Sequence, residues 1–214
     1  ALALALVLAS SALALASSAL ALASSALALA VAFPVSALAA SSSALAAALA
    51  TLAKTRGERV GYFKPVSFAA ENLEESKGDR DSRFLCELLS LSEPIELVCP
   101  VVLPADTSQS GFAGRDNSLI GPISEAYSKV SKGKDVVIIE GLSAKDEGML
   151  GVSGAMAASY DAKVILVTSY IREMELGEIV RIAEAYGEKL VGVVFNAVPI
   201  LSERLVTSEV VPFL

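Results

Sequence analysis

An α/β fold, doubly wound around a mostly parallel sheet with helices on both faces, is what three features of this sequence predict. First, the segments 135–140 (DVVIIE), 162–169 (AKVILVTS) and 190–198 (LVGVVFNAV) carry apolar runs with no alternation of polar residues. Runs of that kind suit parallel strands buried on both faces. Second, stretches with helical patterning separate them, so strand and helix alternate as in βαβ units with right-handed crossovers. Third, 214 residues are enough for one such domain with a real core.

The elements follow in order from residue 31. VAFPV (31–35) reads as a strand. Residues 41–55, rich in Ala and Leu, read as a helix closed by Lys54, Arg56 and Gly57, basic residues followed by the glycine that ends many helices. RVGYFKPVS (59–67) reads as a strand whose pairing ends near Lys64, because Pro65 has no N–H to donate. Residues 79–91 read as a helix, 97–103 as a strand weakened by Pro100, 104–116 as a loop, and 117–131 as a helix with Asn117 as N-cap. The strand through Glu140 and Gly141 leads to a loop (142–149) and a short helix (152–160). Strand 162–169, helix 172–186 ended by Gly187, strand 190–198 and a helix from 201 complete the reading. No domain boundary is visible within 31–214. The last residues, Val211 to Leu214, fall where such a sheet could continue, so we expect a truncated domain.

Residues 1–30 are of another kind. The first 53 residues contain no charged residue and no glycine, and SSALALA occurs three times in succession between Ser10 and Ala30. Leucines two apart face opposite sides of a helix, which argues against a coiled coil despite the seven-residue period. We read 1–30 as an unassigned low-complexity segment, placeholder sequence in effect; a natural low-complexity or membrane-spanning segment and an engineered one stay open beside it. No chemistry is drawn from it. The mean hydropathy of +0.60 reflects this first quarter.

Charge and residue types exclude much. A net charge of −7 argues against a general nucleic-acid binder. The absence of histidine removes Ser-His-Asp catalysis and most zinc chemistry. Cys86 in FLCELL and Cys99 in LVCPVVL read as small buried hydrophobes, neither with metal-ligand spacing. With no secretory signal legible, the expected location is the cytoplasm.

The residues that carry chemistry stand at strand ends, where open parallel sheets bind ligands. Ser36-Ala37-Leu38-Ala39-Ala40-Ser41-Ser42-Ser43 joins the first strand to the first helix, the place of a phosphate-binding loop with the pattern G-x-x-x-x-G-K-[ST]. Only Ser43 fits; Ser36 and Ser41 stand for the glycines and Ser42 for the lysine. Either a small-residue turn or a degenerate phosphate loop is consistent with this, and the helix start attracts anions in both cases. Lys64, at the end of the second strand, points to the same cleft as Glu140 and suits a phosphate or carboxylate. Asp79 and Asp81 flank Arg80 at a helix start, as N-cap residues or, for one of them, as a Mg²⁺ ligand. Asn196 ends the strand VGVVFN, as a turn residue or as an amide that reads an adenine edge.

VGYFKPVS, DRDSRFLCELL, CPVVL, GKDVVIIEG, AKVILVTS and VGVVFNAVP together resemble, in order and spacing, the dethiobiotin synthetase-like P-loop domains over about residues 31–214. That group includes dethiobiotin synthetase, the amino-terminal domain of many bacterial phosphate acetyltransferases, and archaeal relatives that carry a DRTGG domain. The resemblance implies a P-loop NTPase-like fold that binds ATP or another nucleotide, with Mg²⁺. It gives Lys64 the substrate-lysine position, Asp81 and Glu140 the metal carboxylates, Ser43 the P-loop hydroxyl on the metal, and Asn196 the adenine-reading amide. Gly141-Leu142-Ser143-Ala144-Lys145 and the ending from Ser202 look more like the phosphate acetyltransferase and DRTGG side. A regulatory nucleotide-binding domain is therefore the first expectation, and an ATP- and Mg²⁺-dependent ligase or cyclase of the synthetase type the alternative. A small-molecule substrate or effector and a homo-oligomer are implied by the resemblance, with no membrane partner.

Overall fold

The computed structural model of the chain describes residues 4–7, 39–68, 79–104, 119–142, 147–169, 176–196 and 198–213. Strand β1 (Leu4–Val7) is followed by α1 (Ala39–Thr55), β2 (Val60–Phe63), β3 (Val66–Phe68), α2 (Arg80–Leu89), the single turn α3 (Ile95–Val98) and β4 (Val101–Leu103). Then come α4 (Ile120–Val130), β5 (Val136–Ile139), α5 (Glu147–Ser159), β6 (Val164–Ser169), α6 (Leu176–Tyr186), β7 (Leu190–Asn196) and α7 (Ile200–Leu205), which runs through wider turns into α8 (Val211–Phe213).

Every pairing among the described residues is parallel. β7 lies between β1 and β6, β2 pairs with β5, and β3 pairs with β4. Successive side chains of a strand point to opposite faces, and the core divides accordingly. Val60, Tyr62, Ile138, Ile165, Val167 and Val194 pack against α1 and α2, through Ala46, Leu49, Ala50, Ala53, Leu85 and Leu89. Their neighbours Phe63, Val137, Ile139, Val164, Leu166, Val193 and Phe195 pack against α4, α5 and α6 on the other side. This is the doubly wound α/β arrangement of a P-loop NTPase-like fold, and it explains why the strands read as unbroken apolar runs.

Helix α1 lies close to the sheet because its buried stripe at 46, 49, 50 and 53 is mostly alanine. Gly57 ends it with φ at +84°, and the Glu58 N–H donates to the Ala53 carbonyl at 3.2 Å, the glycine-closed helix end that the sequence predicts. Gly61, inside β2, meets a second requirement. A Cβ there would lie 3.2 Å from Lys134 Cγ and 3.3 Å from Val137 Cγ2, so any larger residue would force these side chains to shift by a few tenths of an ångström.

Several elements differ from the sequence reading. Helix α1 starts at Ala39, so Ser41, Ser42 and Ser43 belong to its first turns and not to a connecting loop. The strand expected over 59–67 is two short strands interrupted at Lys64-Pro65. The strand expected over 97–103 is only Val101–Leu103, because Leu97 and Val98 close the turn α3 that Pro94 opens. Helix α4 starts after Leu119; Asn117 lies outside the described residues, as does the strand expected at 31–35. Helix α5 is longer than expected, and β1 forms within the segment read as low complexity. The cysteines are free thiols; Cys99 is buried and Cys86 is half-buried, where both were expected to be buried. No helix among the described residues is long and apolar enough to cross a membrane.

Candidate functional site

The register of one strand pair builds the site. β2 and β5 align Tyr62 with Ile138, and both side chains face α1. Two residues further on, the same face receives Lys64 and Glu140, and the pairing still continues there, since the Glu140 N–H donates to the Phe63 carbonyl at 2.9 Å. The Lys64 Nζ lies 3.5 Å from Glu140 Oε1. The first turns of α1 come down on this pair. Ser42 donates to Glu140 Oε1 at 3.2 Å, and Ser43 Oγ lies 3.1 and 3.3 Å from its two oxygens. Glu140 is only 5% exposed, and Tyr62 donates to its Oε2 at 2.6 Å. A buried carboxylate costs a great deal unless charges and donors surround it; four side chains do so here.

Helix α2 supplies two more carboxylates. Asp79 is its N-cap and accepts from the Ser82 N–H at 2.8 Å, from the Ser82 hydroxyl at 2.8 Å, and from Ser67. It also takes the tightest contact with Lys64, at 3.0 Å. Asp81, in the first turn of α2, lies 3.6 Å from Lys64 Nζ through Oδ2, and the Ser43 hydroxyl reaches the same oxygen at 3.4 Å. One ammonium therefore faces three carboxylates, Asp79, Asp81 and Glu140. Burial alone would push the Lys64 ammonium down, but Glu140, Asp79 and Asp81 outweigh it and hold it above the usual lysine range. Burial would likewise raise Asp79, yet Lys64 and the Ser67 and Ser82 donors hold it below the usual carboxylate range. Burial first, and then the Glu140 charge, push the Tyr62 phenol well up, so Tyr62 stays a donor. Burial and the nearby Asp79 push the Cys99 thiol up to about 12, which makes it no nucleophile.

Asp79 thus serves as the N-cap that the sequence allowed, and it also anchors the lysine. We expect Asp79→Ala to cost about 1–2 kcal/mol through the cap alone, read by urea unfolding at neutral pH. Because its folded pKa is depressed, its contribution is complete above the unfolded value of about 4. It is lost as the pH falls through the lower folded value. The wild type and Asp79→Ala should therefore converge in stability in acid, and a constant gap down to pH 2 would contradict this role.

Lys64, Asp81, Glu140, Ser42 and Ser43 are brought together. Ser41 lies in the first turn of α1, and Ser36 falls outside the described residues. Asn196 ends β7, half-buried and in register with Ser169 of β6. Sequence reasoning missed Tyr62 and Ser67. The signal for Tyr62 was available: it precedes Lys64 by two in a strand, which puts a phenol on the same face as the ammonium. We expect Tyr62→Phe to lose about 1.5–3 kcal/mol, the range for a hydrogen bond to a charged acceptor. A loss below 0.5 kcal/mol in thermal or urea unfolding would show that the phenol does not hold Glu140.

The family described as AAA domain matches residues 41–208 of the chain. The chain belongs to that family. The match runs from the first turns of α1 to the turns after α7, and it includes Ser41, Ser42, Ser43, Lys64, Asp81, Glu140 and Asn196. The AAA domain is one of the P-loop NTPase group, so nucleotide binding is the function that the family carries.

The residues of this AAA domain fit a hard cation. Ser43, Asp81 and Glu140 offer oxygen donors only, as Mg²⁺ prefers. No three His, Cys, Asp or Glu side chains converge as a metal cage among the described residues. A cation here would complete its shell with water and phosphate oxygens, the usual condition of Mg²⁺ in nucleotide sites. For the phosphates, α1 has no acidic side chain in its first turn to oppose its dipole. Ser42, which the sequence reading aligns with the P-loop lysine, is fully buried and donates to Glu140.

Proposed function

We propose that this AAA domain binds a nucleotide as its Mg²⁺ complex and acts as a regulatory domain of a phosphate acetyltransferase-related protein. The observation that carries the binding is the convergence of Ser43, Lys64, Asp81 and Glu140 at the start of α1. Ser43, Asp81 and Glu140 would hold the cation, which supplies positive charge to the phosphate oxygens. The N–H groups that open α1 would take a phosphate, as helix starts do, and Asn196 would read the adenine. Regulation is favoured over catalysis by position 42. Phosphoryl transfer depends on positive charge aimed at the transferred group, and a buried serine supplies none. The likeness of Gly141-Leu142-Ser143-Ala144-Lys145 to the phosphate acetyltransferase side supports the same reading.

A second reading is an ATP-dependent ligase or cyclase of the dethiobiotin synthetase type, favoured by the ammonium of Lys64, a match for a carboxylate substrate. Calorimetric titration with ATP, with and without Mg²⁺, tests the binding. We expect heat and saturation with Mg²⁺ and a weaker response without it. No heat at millimolar ATP in Mg²⁺ would overturn both readings. Phosphate release separates them: binding without turnover fits the regulatory domain, and turnover stimulated by an added carboxylic acid fits the ligase.

A further inference from the structure

Two positively polarised groups contact the same two oxygen atoms. Glu140 Oε1 is touched by Lys64 Nζ at 3.5 Å and by Ser43 Oγ at 3.1 Å. Asp81 Oδ2 is touched by Lys64 Nζ at 3.6 Å and by Ser43 Oγ at 3.4 Å. A cation held by Asp81, Glu140 and the Ser43 hydroxyl would compete with the ammonium for the charge of these two carboxylates. We propose that Lys64 is the domain's own counter-ion for the cation site: without metal its ammonium bridges Asp81 and Glu140, and when the metal takes these carboxylates the ammonium is freed for an anionic group of the ligand. This rests on the reading that Asp81 and Glu140 are the cation's carboxylates.

Three observations carry it. The contacts of Lys64 with Asp81 and Glu140 are longer than normal charge-assisted hydrogen bonds, whereas its contact with Asp79, at 3.0 Å, is close to one. The ammonium can therefore leave the first two carboxylates and keep the third. Asp79 is fixed independently, by Ser67, by Ser82 and by its place as cap of α2, so it remains a stable anchor. The charge also balances: three carboxylates and one ammonium leave two negative charges, which a divalent cation cancels. A monovalent side chain cannot do this alone, and two cations side by side on Glu140 Oε1 would repel. The consequence is an order of events. The divalent cation prepares the anion site, and an anion without the metal finds its lysine engaged.

Two measurements on the folded chain test this. Mn²⁺ binding, followed by paramagnetic resonance without nucleotide, is compared between the wild type and Lys64→Gln. Loss of the competing ammonium should tighten Mn²⁺ at least about tenfold. In the wild type, the rate of reductive methylation at Lys64, read by peptide mass spectrometry, should rise severalfold on adding Mg²⁺ at saturating concentration, with Lys134 as internal control. Equal or weaker Mn²⁺ binding by Lys64→Gln, or unchanged labelling of Lys64 when the metal is bound, would overturn the inference and leave the metal site standing. Failure of both proteins to bind Mn²⁺ would overturn the metal reading itself, and this inference with it. The labelling measurement needs no variant, so a poorly folded Lys64→Gln does not protect the proposal.

Discussion

Lys64→Ala should lower the stability of the domain by about 3–5 kcal/mol, the range for removing one partner of a buried ion pair. The size follows from what remains. Asp79 and Glu140 are largely buried, and with Asp81 they face one another around the vacated ammonium. The loss is dominated by uncompensated charge and not by missing contacts, so it has two signatures. Lowering the pH toward the acid range should narrow the gap to the wild type, because Asp79, which Lys64 holds below the usual carboxylate range, takes up a proton sooner once the ammonium is gone. Adding Mg²⁺ should restore part of the stability of the variant and affect the wild type less, since a ligand that binds the native state stabilises it in proportion to its affinity. Urea unfolding with constant slope measures all three. A loss below 1 kcal/mol would show that the cluster is solvated and that its charges are not coupled.

Glu140→Gln should abolish Mg²⁺-dependent nucleotide binding, with a loss of about a hundredfold or more. Changes to groups that merely orient metal ligands already cost about 10–100-fold, and here a proposed ligand itself changes. The substitution keeps the shape of the side chain but removes its charge. It also turns one acceptor oxygen into an NH₂ group that faces the Tyr62, Ser42 and Ser43 donors. Lys64 keeps Asp79 and Asp81, so the fold survives where Lys64→Ala is damaged. Calorimetry with Mg²⁺ and ATP reads the effect, and circular dichroism checks that the fold is kept. Unchanged affinity would remove Glu140 from the site.

Much of this arrangement was legible in the sequence because period-two alternation is a strong constraint. Once 59–64 and 135–140 are read as neighbouring parallel strands ending together, Lys64 and Glu140 must share a face, and the structure places them 3.5 Å apart. Helix α1 and its closing glycine were legible for a similar reason: the small apolar stripe and Gly57 leave little choice. Short elements at loops were not. Pro94 and Pro100 bracket a segment whose apolar residues suit a strand, yet Pro94 opens a helical turn that takes Leu97 and Val98. Propensity gives no warning, because a single turn is decided by what its residues pack against. Tyr62 and Ser67 were missed because their roles depend on partners far along the chain, Glu140 and Asp79. Asp79 itself showed two chemistries in one residue. The sequence allowed cap or metal ligand, and the structure makes it a cap whose free capacity holds the lysine.

In the proposed complex the ligand's phosphates and cation meet at the start of α1, on the end of the strands that carries Lys64 and Glu140. Line broadening of backbone amides by Mn²⁺–ATP tests this most directly, because paramagnetic broadening falls off steeply with distance. We predict loss of the Ser42, Ser43, Lys64, Asp81 and Glu140 amides, while Arg59, Lys134 and Asp135, at the opposite ends of β2 and β5, stay sharp. Broadening centred on Lys134 and Asp135, or none at saturating Mn²⁺–ATP, would rule this placement out.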